Sequence, residues 1–200
     1  MKDDPRVKNK IFSSESIGDY LNDYSHELHK AIESVDLDQL NLAFDELNQF
    51  YSLDRQIFSI GNGGSHAISD HLSCDFVKGA YKDEAKRLKV IPLGSLTSLH
   101  SAAANDFGHD NAFLQQLRFL ANSDSLLIAI SSSGNSKNIL NAVNYHKSKG
   151  GICIGMSGFD GGKLKEESNI SLHVHSSNYG IVEDAHQALM HILAQYLFIK

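Results

Sequence analysis

Proline occurs only at positions 5 and 92 of the 200 residues, so no extended proline-rich linker divides the chain. Cysteine is equally scarce. Cys74 and Cys153 lie far apart and match neither a zinc-ribbon nor a redox spacing, which makes buried structural thiols in a reducing compartment the expected reading. Positive charge is short too: 18 Lys and Arg stand against 24 Asp and Glu, a formal net charge of -6. A partner whose phosphates are neutralised through counterion release needs a surplus of cations, so nucleic acid and anionic membranes are not expected as partners. The first residues, Met1 to Ile11, are charged and carry no apolar leader core. No apolar run approaches the length that spans a bilayer. A cytoplasmic location is expected, and no internal repeat, heptad or low-complexity tract interrupts the sequence. What is present, 42% hydrophobic residues over 200, suffices for one sizeable core and one domain.

The apolar residues are ordered by two periods. Residues 1–13 are polar and read as a flexible N-terminus. Over 14–52, Ile17, Leu21, Leu28 and Ile32, then Leu40, Ala43, Phe44 and Leu47, recur at helical spacing, predicting two amphipathic helices, Ser14 to Ser34 and Leu37 to Tyr51. Over 53–200 the pattern changes to short apolar runs that end at Gly or Ser clusters and are followed by helical segments. The predicted strands are Gln56 to Ile60, Leu88 to Pro92, Leu126 to Ile130, Ile152 to Met156 and Ile170 to Val174. The helices between and after them are Ser65 to Phe76, Leu96 to Ala104 with Asn111 to Ala121, Ser136 to Lys149, and Ile181 to Lys200. Such alternation predicts an α/β fold, a five-stranded parallel sheet flanked by helices with an N-terminal helical arm. Ligands of such sheets lie at the carboxyl ends of the strands.

Two loops stand there. Gly61-Asn62-Gly63-Gly64-Ser65-His66 joins the first strand to a helix. It is no dinucleotide fingerprint, since the third glycine would fall on His66, and it lacks the Lys-Ser/Thr pair of a P-loop. It leaves backbone amides at a helix N-terminus, where an anion is favoured; a tight turn with Ser65 as N-cap fits the same residues. Ser131-Ser132-Ser133-Gly134-Asn135-Ser136 follows the third strand. Four serines and a glycine exceed what one cap needs and make a neutral cradle suited to a phosphate, although a solvated turn has a similar composition.

His71 and Asp75 stand four residues apart on the first post-loop helix and share a face. On the last helix Glu183, Gln187 and His191 repeat the interval among apolar residues, so burial of that helix is expected and its Glu and His need partners. Two His and two carboxylates suit a borderline divalent cation such as zinc; either pair alone also fits an ordinary helix-surface contact. His186 reads as structural, and His26, His29 and His146 as solvated surface.

The succession Gly61-Asn62-Gly63-Gly64-Ser65 with His71, Asn105-Asp106-Phe107-Gly108, Ile130 to Ser136, and Met190-His191-Ile192-Leu193 resembles the signatures of the phosphoheptose isomerases, a family of the SIS fold, in order and spacing along almost the whole chain. The resemblance implies a single SIS domain, a homotetramer with active sites at subunit interfaces, and one zinc per subunit. It implies that Ser65, Ser131, Ser132, Ser133 and Ser136 hold a sugar phosphate, and that Asn62, Gly63, Gly64, Asn105 and Asp106 contact the rest of the substrate together with Asp75 and Glu183. His71, Asp75, Glu183 and His191 fall on the family's metal ligands, and Asp75 and His191 on its acid/base pair. The implied reaction turns sedoheptulose 7-phosphate into an aldoheptose 7-phosphate for lipopolysaccharide or capsule precursors. The sequence departs from the family at three points. Asp75 replaces a Glu, Glu183 replaces a Gln, and Ile181 stands where an Arg is usual, with Lys78 the nearest match to a further basic position. The departures leave open an isomerase of another sugar phosphate. A non-catalytic phosphosugar-binding adaptor would keep the serine loops but has no need of the His and carboxylate set.

Overall fold

The computed structural model describes residues 14–53, 55–85 and 87–200, so the expected flexible segment 1–13 lies outside the described residues. Two helices lead, α1 (Ile17–Glu33) and α2 (Leu37–Leu53). Ser16 caps α1 by accepting the Asp19 N–H. The α/β part follows: β1 (Gln56–Ile60), α3 (Gly64–Cys74), β2 (Lys89–Pro92), α4 (Thr97–Phe107), α5 (Ala112–Leu120), β3 (Leu126–Ser131), α6 (Lys137–Ser148), β4 (Ile152–Ser157), α7 (Gly162–Glu167), β5 (Ile170–His173) and α8 (Tyr179–Ile199). All five expected strands form, each within one residue of its expected bounds. All pairings are parallel and the order is β2-β1-β3-β4-β5.

This order has one reversal. From β1 the chain moves outward to β2, then crosses back to place β3 on the other side of β1. The switch point therefore lies between the carboxyl ends of β1 and β3, where the glycine and serine loops begin. Strand alternation sends Ile57, Leu126, Ile128, Ile130, Ile154 and Met156 to one face, under α1, α2, α3 and α8. Phe58, Ile60, Leu127, Ala129 and Cys153 face the other layer with Phe113 and Leu117 of α5 and Ile139 and Val143 of α6. Each buried Leu or Ile contributes about 1.5–3 kcal/mol relative to exposure, so both layers hold the sheet.

Four local expectations change. Short α7 goes unpredicted by the apolar pattern because only Leu164 in it is buried. His146 is buried, with Nε2 on the Ser125 carbonyl at 3.0 Å, because the inner face of α6 carries it. Cys74 is exposed while Cys153 is buried, and burial pushes the Cys153 thiol up to about 12. The last helix is not buried all round: its end exposes Ile192, Tyr196, Phe198 and Ile199.

Beyond α3 the helix widens into a π-turn, Asp75–Gly79, closed by the Ala80 N–H on the Asp75 carbonyl at 2.8 Å. At the sheet's edge, side chains take two outward amides, one in β5 and one just beyond it. Gln39 Oε1 accepts the Ser171 N–H at 2.9 Å, and Ser34 Oγ accepts the His175 N–H at 2.8 Å.

Candidate active site

The two loops meet over the switch point. Gly61 must be glycine, because a β-carbon there would stand 2.4 Å from the Ser65 carbonyl oxygen. Gly63, at φ +54°, makes the turn into α3. In the second loop Gly134, at φ +63°, lets its N–H close onto the Ser131 carbonyl. A reciprocal amide pair stitches the loops together: Asn62 Nδ2 donates to Asn138 Oδ1, and Asn138 Nδ2 to Asn62 Oδ1, both at 2.9 Å.

Between the loops lies a cavity of about 170 Å³ lined by Asn62, Ser65, Ser131, Ser132, Ser133 and Ser136, closed by Tyr179 and Glu183. No described Lys or Arg lines it. The starts of α3 and α6 supply the positive potential instead. Two hydroxyls lack the local work that a plain turn would give them. Ser136 is the N-cap of α6 yet makes no side-chain capping bond, and Ser132 Oγ is buried with no partner among the described residues. A buried orphan hydroxyl costs about 1–3 kcal/mol, a penalty removed when an acceptor enters. The five serines expected to hold a phosphate are thus brought together, with Asn62 beside them. Gly63 and Gly64 stand at the α3 start.

One carboxylate faces this cavity. A β-carbon on Gly64 would stand 2.1 Å from Glu183 Oε2, so the glycine gives Glu183 its room against the first loop. Burial, and then the charge of Asp184, raises the Glu183 pKa above the ordinary carboxylate range.

Further along α8 the second cluster assembles. Asp75 Oδ2 lies 3.0 Å from His191 Nε2, and Asp75 Oδ1 lies 3.7 Å from His71 Nε2. The two rings meet edge to face with centroids 5.1 Å apart. The three residues offer ligand atoms within 4.8 Å of one another, a compact set of two imidazoles and one carboxylate. Gln187 Nε2 stands 2.9 Å from His71 Nδ1 and 3.3 Å from His191 Nε2. His191 Nε2 therefore faces an amide donor and a carboxylate at once, and one imidazole proton satisfies only one of them. A cation among these atoms satisfies lone pairs and carboxylate together, so the donor set fits a borderline divalent ion.

Glu183 is not brought into that cluster, since its carboxylate lies on Gly64. Gln187, one turn along the same stripe, takes the neighbouring place. The stripe spacing already marks Gln187 in the sequence. Asn105 and Asp106 are exposed, bonded to each other at 2.8 Å, and line a separate hollow on α4 with Thr97, Ser98 and Ser101. Ile181, at the usual arginine position, is core, and exposed Lys78 lies in the π-turn. His186 is structural: it is fully buried and bonded through Nε2 to the Ser157 carbonyl at 3.2 Å.

A family model described as the SIS domain matches residues 19–158. The phosphoheptose isomerase of Helicobacter pylori (strain P12) is 35% identical over 85% of this chain and 88% of its own length. That of Campylobacter concisus is 36% identical over 80% and 84%. The solved structure of the phosphoheptose isomerase GmhA from Neisseria gonorrhoeae superposes with a TM-score of 0.81 at 26% identity, covering 92% of this chain and all of that one.

Proposed function

Because the chain belongs to the phosphoheptose isomerase family of SIS-domain proteins, we propose that it converts sedoheptulose 7-phosphate to D-glycero-D-manno-heptose 7-phosphate. The observation that carries the reading is the course of α8, which borders the serine cavity at Tyr179 and Glu183 and, two turns on, brings His191 to Asp75 and His71. A sugar phosphate anchored in the first place presents its other end to the second, so remote binding energy positions the reacting carbons.

The serine hydroxyls and the amides at the α3 and α6 starts take the phosphate oxygens. The isomerisation moves a proton from C1 to C2 through a cis-enediol, while the carbonyl moves from C2 to C1. Asp75 and His191, in mutual contact at 3.0 Å, are the pair that removes the proton from one carbon and serves the oxygens in turn. His71, Asp75 and His191 would hold zinc, which when bound polarises the substrate's hydroxyl and carbonyl oxygens. Glu183, placed between cradle and cluster, contacts the middle of the sugar. The retained His and Asp set favours an enzyme over a phosphosugar-binding adaptor.

The separation of Asn105 and Asp106 from the cavity supports a homotetramer in which they complete a neighbouring subunit's site. So do the apolar side chains left exposed on α1 and α8, among them Ile17, Leu21, Tyr196 and Ile199. No described helix is long and apolar enough to cross a membrane. Phosphorylated intermediates do not cross bilayers freely, so we place the enzyme in the cytoplasm, feeding heptose precursors of lipopolysaccharide or capsule.

The test is conversion of sedoheptulose 7-phosphate followed by NMR, with and without added zinc. Turnover is expected in zinc-replete protein and should fall about 100-fold or more in His191→Ala, the usual scale of a lost acid/base group. Phosphosugar binding without turnover under every metal condition overturns the enzyme reading.

A further inference from the structure

A second polar cavity, of about 530 Å³, lies between the α1–α2 turn and the outer edge of β5, and it shares no lining residue with the serine cavity. The sheet's edge explains its chemistry. Gln39 spends its Oε1 on the Ser171 N–H, and Asn169 spends its Oδ1 on the Cys153 N–H at 3.0 Å. Both carboxamides are thereby fixed in orientation, with their amide hydrogens left over. Among the described residues neither amide nitrogen has an acceptor, and Ser171 Oγ is buried without a partner.

The charges point the same way. Lys165 lines the cavity with no described carboxylate in ion-pair range. His173 and His175 stand beside it with ring centroids 4.8 Å apart. Asp36 also lines the cavity, but its Oδ1 accepts the Asp38 and Gln39 N–H groups at the start of α2, where the helix dipole offsets its charge. Asp160, the other carboxylate whose field reaches His173, accepts the Gly162 N–H. Beside the two imidazoles and the second Asp36 oxygen, what remains unspent in the cavity is amide and hydroxyl donors and one cation.

We propose that this cavity is a second anion site, built to take a phosphate group. Donors on Gln39, Lys165, Asn169 and Ser171 come from the helix turn, from α7 and from the strand edge. Several walls can therefore each meet an oxygen of a tetrahedral oxyanion, more than the two oxygens of a carboxylate need. A metal ion is disfavoured, because among the described residues the only group of three or more His, Cys, Asp or Glu ligand atoms within 4.8 Å of one another is His71, Asp75 and His191, outside this cavity. Burial, then the charge of Lys165, lowers the pKa of His173 to about 4, in keeping with a Lys165 cation whose field reaches the ring. The second site stands apart from the isomerase reading, since it uses none of the same residues.

The test uses the full-length protein carrying ¹³Cε1-labelled histidine, titrated separately with inorganic phosphate and with glycerol 3-phosphate. The reporter is the ring signal of exposed His175. A saturable shift is expected, with affinity weakened about tenfold or more, one charge-assisted bond's worth, by Lys165→Ala and by Gln39→Glu. Gln39→Glu keeps an acceptor for the Ser171 N–H while exchanging the amide hydrogens for a negative charge. The shift should persist in the Ser132→Ala, Ser133→Ala double variant, in which the serine cradle is weakened. The tighter of the two ligands identifies the source, free phosphate or a phosphate monoester. No saturable shift with either ligand, a shift that survives both cavity substitutions, or one that disappears only with the cradle serines overturns the proposal.

Discussion

Gly134 holds φ at +63°, and a β-carbon built there would stand 1.9 Å from the Gly161 carbonyl oxygen. Neither obstacle yields readily, since one is backbone conformation and the other is backbone. Gly64 has a comparable contact, 2.1 Å to Glu183 Oε2, but there the obstacle is the far end of a flexible side chain. The same substitution therefore separates two effects. Gly134→Ala is expected to lower stability by more than about 2 kcal/mol in urea denaturation, the sum of left-handed strain and collision. Gly64→Ala should leave the urea midpoint nearly unchanged while raising KM, because Glu183 swings away from the cavity. Equal stability losses in the two variants would contradict this distinction. Side-chain identities in both loops are legible in the sequence because glycine and serine signal backbone need and hydroxyl supply directly. The mutual bonding of Asn62 and Asn138 is not, since it joins residues 76 apart and depends on the crossing between β1 and β3.

Asp75 begins the π-turn, and that turn is fixed from outside by buried Tyr51, whose hydroxyl donates to the Ala80 carbonyl. Tyr51 touches neither the serine cavity nor the His cluster, so it acts on Asp75 only through the turn's backbone. Tyr51→Phe leaves the Ala80 carbonyl without this partner and should cost about 1–3 kcal/mol of stability. It should also lower kcat with little change in KM, since the phosphate cradle is untouched. Steady-state kinetics beside thermal melts separate the two, and an unchanged kcat would reduce Tyr51 to a purely structural role. The π-turn has no sequence signature, because a helical period fits Asp75 to Gly79 equally well. Strands are legible for the opposite reason: continuous apolar runs such as Leu126 to Ile130 satisfy no amphipathic helix. His146 reads as surface from its polar neighbours, although Ile139, Ala142, Val143 and His146 follow the i, i+3, i+4, i+7 spacing of one buried face. Asn105 and Asp106 carry no spacing signal toward the cluster, and a single chain does not bring them there.

Across the molecule, folding commits fully buried His186 to the neutral form. Its Nε2 meets the Ser157 carbonyl, and its Nδ1 has no partner among the described residues. Burial lowers its pKa from 6.5 to about 4. A group whose folded pKa is depressed binds its proton more readily when unfolded. Its contribution is therefore complete above the unfolded value and is lost as pH falls from about 6.5 toward about 4. Every tenfold loss of proton affinity on folding corresponds to about 1.4 kcal/mol, so this one histidine withdraws about 3 kcal/mol between pH 7 and pH 4. That is a large share of the roughly 5–15 kcal/mol on which a domain of this kind stands. Carboxylates and His173 titrate in the same range and contribute to the same slope, so the wild-type curve alone does not isolate the share of His186. His186→Gln removes the titration while keeping a donor for the Ser157 carbonyl. Urea unfolding at pH 7 and pH 4 should show the variant losing about 3 kcal/mol less than the wild type over that interval, even though its poorer packing lowers stability at pH 7. Parallel pH profiles would mean that folded His186 binds its proton as readily as the unfolded chain does, which its burial against the Ser157 carbonyl, with no described carboxylate facing it, argues against.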